Sequence, residues 1–170
     1  MHKYFPRLLN FIYRYVSDRE TAEDLTQEVF IRVYKSGPHY RPQSKFQTWL
    51  FTIARNLSLN ELRRNKHKAV SLDEAYSTEK GKIKPQWEDP NSVSPDEDML
   101  RREKAAAVKA AIDSLPESQR VAVLLRRYEQ FSYEEIAQTM KLSSKAVKSL
   151  LSRAKENLKA KLAGWAKTAD

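Results

Sequence analysis

The stretch from Leu115 to Leu162, LPESQRVAVLLRRYEQFSYEEIAQTMKLSSKAVKSLLSRAKENLKAKL, leaves this chain few folds to choose from. Three helical patterns follow one another in it with almost no spacer. Pro116 and Glu117 suit a first helical turn, after which Val121, Leu124, Leu125 and Tyr128 recur at helical spacing. Ser132 can cap a short second helix, with Glu134 and Glu135 in its first turn and Ile136, Ala137 and Met140 facing inward. Ser143 or Ser144 can cap a third, with Val147, Leu150, Leu151, Ala154 and Leu158 along one side. A short helix, a tight turn and a second helix make a helix-turn-helix. Its last helix carries Lys145, Lys148, Ser149, Ser152, Arg153 and Lys155 mainly off the apolar stripe, where they are donors for phosphates and base edges. Alone, a Lys-rich helix reads as a solvated basic face. With the capped helix before it, the reading becomes DNA binding.

The charge distribution agrees. Residues 1–70 hold 13 Lys/Arg against 6 Asp/Glu, residues 71–100 hold 3 against 8, and residues 101–170 hold 15 against 8. Two basic blocks therefore flank an acidic segment, a layout suited to a polyanion that releases counterions on binding. The absence of cysteine excludes disulfides, thiolate metal sites and cysteine nucleophiles. His2, His39 and His67 have no metal-ligand spacing, so no metal and no cofactor is expected. No apolar run reaches membrane-spanning length and MHKYFPRLL is not a signal peptide, so stable membrane insertion is not expected and the protein is read as soluble and cytoplasmic.

Taken in order, Phe5, Leu8, Leu9, Ile12, Tyr13 and Val16 mark an amphipathic helix that Ser17-Asp18 interrupts. A second helix opens at Thr21 and runs to about Lys35, with Leu25, Val29, Phe30 and Val33 inward and Asp24, Gln27, Glu28 and Arg32 on a polar face. Gly37, Pro38 and Pro42 make Ser36–Ser44 a loop. A third long helix follows, with Phe46, Trp49, Leu50, Ile53, Ala54 and Leu57 on its inner face. Arg55, Asn56 and Asn60 lead into Arg63-Arg64-Asn65-Lys66-His67-Lys68, a basic run that continues the same helix. Such donors beside an irregular loop suit capture of a nucleic-acid strand with one base turned out of the stack.

Three prolines, a glycine and few aliphatics make residues 71–100 a flexible acidic linker, in which Trp87 is a candidate tether. Ser94-Pro95-Asp96-Glu97 starts a further helix, whose Leu100, Ala107, Val108, Ala111, Ile112 and Leu115 are expected to pack on the helix-turn-helix. Little order is expected after Leu162, where Trp165 covers the last turn. The fold class is all-α: two small helical domains, residues 1–70 and 96–163, joined by a flexible acidic linker, residues 71–95.

Together the two halves resemble a known family. Asp18-Arg19-Glu20-Thr21-Ala22-Glu23-Asp24-Leu25-Thr26-Gln27-Glu28-Val29-Phe30 and Phe46-Gln47-Thr48-Trp49-Leu50-Phe51-Thr52-Ile53-Ala54-Arg55-Asn56 look like region 2 of bacterial sigma factors. Leu115-Pro116-Glu117, Tyr133-Glu134-Glu135-Ile136-Ala137 and Lys145–Ala154 resemble region 4. With only these two regions and a short linker, the chain resembles the extracytoplasmic-function (ECF) group. The resemblance implies an alternative sigma factor, not an enzyme. It would bind core RNA polymerase through the two largest subunits, recognise minus-ten and minus-thirty-five promoter DNA, and direct transcription initiation in the cytoplasm, at the nucleoid when active. An anti-sigma factor is implied as a further partner.

Residue by residue, the resemblance places Asp24, Gln27 and Glu28 at the polymerase clamp. The Ser36–Ser44 loop with Asn56 and Asn60 falls at the flipped minus-ten base, and Arg55, Arg63 and Arg64 at the backbone. Lys145, Lys148, Ser149, Ser152 and Arg153 fall at the minus-thirty-five element. Some positions depart from the family's pattern. Ser143-Ser144-Lys145-Ala146-Val147 stands where many relatives have Gly-Thr-Val, so the promoter sequence does not carry over. Asn60 replaces a frequent Asp. A lone Trp near the melting region implies limited strand separation and strict promoter choice. The first helix starts almost at residue 1, so an upstream segment is expected to be missing or replaced by another protein's surface.

Two rival readings stay open at this point. A stand-alone helix-turn-helix regulator accounts for residues 115–162 but gives Asn56 and Arg63-Arg64 no work. A nuclease would need carboxylate pairs, and Asp73/Glu74 and Asp96/Glu97/Asp98 lie in the acidic linker with nothing to fix them.

Overall fold

The computed structural model describes residues 3–36, 44–72 and 95–166. Seven helices are found among them: α1 (Phe5–Val16), α2 (Arg19–Ser36), α3 (Phe46–Leu72), α4 (Pro95–Asp113), α5 (Glu117–Arg127), α6 (Tyr133–Met140) and α7 (Ser144–Ala166). The described residues include no strand. The 37–43 part of the loop, Trp87 and most of the linker lie outside the described residues, as do the side chains of Leu100 and Trp165.

Local chemistry explains most helix ends. The Asp18 carboxylate accepts the Thr21 N–H at 2.8 Å and so caps the start of α2, and these bonds from Thr21 hold its pKa below the ordinary value. Ser132 and Glu135 form a reciprocal capping box on α6: the Ser132 hydroxyl accepts from the Glu135 N–H at 3.2 Å, and the Ser132 N–H donates to Glu135 Oε2 at 2.8 Å. Ser143 caps α7 by accepting the Ala146 N–H at 3.2 Å, which decides between the two serines. The left-handed turns fall on Ser17, Gln130 and Lys141 rather than on glycine, of which the whole chain has only three.

Helices α1, α2 and α3 pack on one another, and α5, α6 and α7 do the same, with α4 laid along α7. The two units are also joined. Helix α3 packs against α6 and α1 against α5, so a single apolar cluster runs from Leu8 to Val147 through both. This joining changes several inward-facing assignments. Phe11, Tyr15 and Phe51 are fully buried although the helical stripes omit them. Phe51 stacks edge-on with Phe11 at 5.2 Å on one side and with Phe131 of the other unit at 5.3 Å on the other. Conversely Phe5, Phe46, Tyr128 and Val108, expected inward, are substantially exposed. Helix α1 turns a different arc inward because it is covered from two directions, and Val108 is exposed because α4 packs chiefly on α7. Helix α7 also continues past Leu162 to Ala166, farther than its apolar pattern suggests.

Candidate nucleic-acid and polymerase interface

The α7 surface follows directly from its packing. Val147 and Ala154 are fully buried, with Leu150, Leu151 and Leu158 partly so. That stripe rests on α5 and α6 and leaves Lys145, Lys148, Ser149, Ser152 and Arg153 exposed together on the opposite arc, with Lys155 at its flank. The ammonium and guanidinium groups of Lys145, Lys148 and Arg153 have no ion-pair partner among the described residues, so their charge is available outward. Helix orientation is fixed from beneath: Asn157 donates to Gln119 Oε1 at 2.8 Å, tying α7 to a buried position of α5. Glu156 is also exposed, four residues after Ser152 and three after Arg153, and so shares the arc. It went unnoticed in the sequence, where that spacing was the available signal.

On α3 the basic and amide residues divide into two sets. Asn56, Asn60 and Arg63 follow one another at four and three residues, along one side of the helix, with Asn60 and Arg63 exposed. Arg64 is also exposed but bonded to Glu61 at 2.9 Å. Arg55 lies deeper: its Nη1 donates to Asn56 Oδ1 at 3.2 Å, and its Nε is buried without a protein acceptor. Engaging the Asn56 carbonyl in this way leaves that residue's amide as its outward donor. Arg55 and Arg63 also act electrostatically on Tyr15, whose hydroxyl is pushed up to about 12 mainly by burial and then by Glu117, against the pull of Arg120, Arg55 and Arg63. The sequence brings Arg55 together with the other donors as one site. The structure sets it deeper than the exposed Asn60 and Arg63, with its Nε enclosed.

The α2 candidates form a third surface. Asp24 and Gln27 are exposed, and Glu28 accepts from Arg32 at 2.7 Å, a solvent-exposed pair of small energetic weight. Ile31 and Tyr34 continue the same face, and Tyr34 is 78% exposed. These two apolar residues were missed in the sequence, although Ile31 lies four and three residues after Gln27 and Glu28, and Tyr34 three after Ile31, which continues the same face. An acidic strip that ends in exposed apolar side chains has the makeup of a protein-docking surface.

The described residues include no group of His, Asp and Glu arranged to hold a metal ion. No described helix is long and apolar enough to cross a membrane.

The family model described as Sigma-70 region 2 matches residues 1–68, and that for Sigma-70, region 4 matches residues 105–158. The RNA polymerase sigma-H factor of Pseudomonas aeruginosa is 37% identical over 158 residues, which are 91% of this chain and 79% of that protein. The ECF RNA polymerase sigma-E factor of Escherichia coli K12 is 34% identical over 158 residues, covering 91% and 80% respectively. Among solved structures, the sigma factor RpoE of Bartonella quintana, co-crystallised with the anti-sigma factor NepR, superposes with a TM-score of 0.71 at 25% identity, over 93% of this chain and 91% of that one. CnrH in complex with the cytosolic domain of CnrY shares the fold, with a TM-score of 0.64 at 18% identity over 96% and 84%. The chain belongs to the ECF group of sigma-70-type RNA polymerase sigma factors, and it is an alternative sigma factor that directs transcription initiation.

Proposed function

We propose that the three surfaces divide the work of initiation among them. The α2 face, Asp24, Gln27 and Glu28 extended by Ile31 and Tyr34, docks on the clamp of the largest subunit of core RNA polymerase. The α3 side holding Asn56, Asn60 and Arg63 engages the minus-ten element, with Arg55 and Arg64 serving the backbone. The α7 arc reads the minus-thirty-five element in the major groove, and the second domain contacts the flap of the other large subunit.

The observation that carries this reading is the α7 arc: three cations without an ion-pair partner among the described residues, and two hydroxyls, exposed on a helix that a capped α6 and the Asn157–Gln119 bond hold in place. Base reading needs such a rigid helix, and phosphate contacts need the uncommitted charges. The chain works by binding and positioning, not by catalysis, and acts in the cytoplasm at the nucleoid. Its regulator is an anti-sigma factor, a partner of the kind seen with the Bartonella protein. Co-purification tests the polymerase contact: the chain should retain bacterial core RNA polymerase on a column. Retention of duplex DNA with no core would instead favour a stand-alone helix-turn-helix regulator.

A further inference from the structure

Helix α7 carries six Lys and Arg residues and a single carboxylate, Glu156. That carboxylate is not at the edge of the basic surface. Successive helical residues turn by about 100°, so Glu156, seven residues after Ser149, returns to almost the same line two turns on. Ser152 and Arg153 stand one turn back, on either side of that line, and Lys159 stands one turn ahead. All of these are exposed, while the buried Val147 and Ala154 lie on the opposite side of the helix. Glu156 is therefore central to the arc.

A glutamate on a basic helix ordinarily serves an intrahelical ion pair, here with Arg153 three residues before it or Lys159 three after. Neither pair forms, and the Glu156 carboxylate has no ion-pair or hydrogen-bond partner among the described residues. Nor does it serve the helix dipole, since it lies about three turns past the Ser144 end, where a negative charge would be favoured. Its charge is left for whatever faces the arc.

Against duplex DNA such a charge is costly unless it meets a donor. Phosphates along the groove walls repel it, whereas the floor of the major groove offers the exocyclic amino groups of cytosine and adenine. Lys148 and Lys155 flank the central line on one side and Arg153 on the other, so the cations address the walls and Glu156 the floor. Between the two bases, adenine sets its N7 acceptor beside the amino group, and a carboxylate can only accept. Cytosine presents its N4 amino group without an acceptor on its own edge, and so fits better. Glu156 lies about 4.5 Å along the axis beyond Arg153, against about 3.4 Å per base pair, so the two residues address neighbouring pairs.

We propose that Glu156 is a specificity-determining residue of the minus-thirty-five contact, its carboxylate accepting from the N4 amino group of a cytosine next to the base pair that Arg153 reads. This rests on the minus-thirty-five reading of α7 given above.

The test is template selection by holoenzyme. Core polymerase loaded with the wild-type, Glu156→Gln or Glu156→Ala chain selects from a promoter library randomised across the minus-thirty-five region, and the retained templates are sequenced. Circular dichroism verifies that all three chains are folded. The wild-type chain should favour cytosine at one position by about fivefold or more, the lower bound for one good base contact. Glu156→Ala should lose that preference and no other. Glu156→Gln should move it to adenine, because an amide both accepts from N6 and donates to N7. Identical base profiles for the three chains overturn the role. So does an equal gain by Glu156→Ala on every sequence, which marks a carboxylate that only repels phosphate. A wild-type chain that enriches no upstream element overturns the minus-thirty-five reading of α7, and the role of Glu156 with it.

Discussion

Arg7 and Glu129 stand 122 positions apart in the chain, yet Arg7 Nε donates to Glu129 Oε2 at 3.0 Å. The carboxylate side chain is 5% exposed and the guanidinium 36%. Burial pushes the Glu129 pKa up, and Arg7 pulls against that shift without cancelling it. Removing the arginine therefore strands a buried carboxylate, whereas removing the glutamate releases a cation that is already part-solvated. Arg7→Ala should weaken the joining of the domains by about 1.5–3 kcal/mol, the range for a hydrogen bond to a charged group. Scanning calorimetry should then show one transition splitting into two, while Glu129→Gln has the smaller effect. A single transition unchanged by Arg7→Ala would remove this pair from the account.

Glu135 has the opposite electrostatics. The Ser132 N–H, and then Lys45, hold its carboxyl below the ordinary carboxylate value. A carboxylate with a lowered folded-state pKa adds stability that is present above its unfolded value and is lost as pH falls through the folded one. Glu135→Gln should therefore be less stable than wild type at neutral pH, and the gap should narrow as the medium is made acid enough to protonate the wild-type carboxylate. Glu129, with its raised pKa, adds stability in the reverse sense, present at low pH and lost as pH rises, and is common to both chains. Urea denaturation at neutral and acid pH measures the gap; a gap that widens in acid contradicts the cap geometry. Ser132→Ala should cost about 1 kcal/mol as the loss of an N-cap.

The α6 cap illustrates what the sequence makes legible. Ser132 followed three residues later by Glu135, ahead of Ile136 and Ala137, specifies its helix start from neighbours alone, and the α7 arc follows from the Val147–Ala154 stripe in the same way. Phe11, Tyr15 and Phe51 were not legible. Tyr15 and Phe51 are covered by Arg120 and Phe131, far along the chain, and Phe11 packs on those two rings, whereas a one-helix amphipathic pattern records only one covering surface. Phe5 and Tyr128 fail for the converse reason: their apolarity fits the stripe, but the domain joining directs another arc inward. Ile31 and Tyr34 are exposed on a face that spacing marks as polar, a local inconsistency of the kind that functional surfaces produce.

The α7 arc separates two kinds of contact. Arg153→Ala should weaken promoter binding by about 1–3 kcal/mol and relax sequence preference at one base pair, as expected of a bidentate reader. If Lys148 serves a phosphate, Lys148→Ala weakens binding evenly across sequences and lowers the slope of log affinity against log salt by about one. Holoenzyme titrations on promoter variants at several salt concentrations distinguish the two. Equal losses on every sequence for Arg153→Ala would remove it from base reading.

The α2 face is the test of polymerase docking. Asp24→Ala combined with Gln27→Ala should abolish co-purification with core enzyme and leave helicity and thermal unfolding unchanged, because both side chains are exposed. Tyr34→Ala should weaken the same contact without affecting the fold, given how little of that ring is covered. Undiminished co-purification of the double variant would place the docking surface elsewhere.

The most direct measurement is run-off transcription by core polymerase and this chain from a pool of genomic promoters, with the start sites mapped. The account predicts new starts that share two upstream elements at a fixed separation, and their loss with Arg153→Ala. Start sites identical to those of core enzyme alone would contradict it.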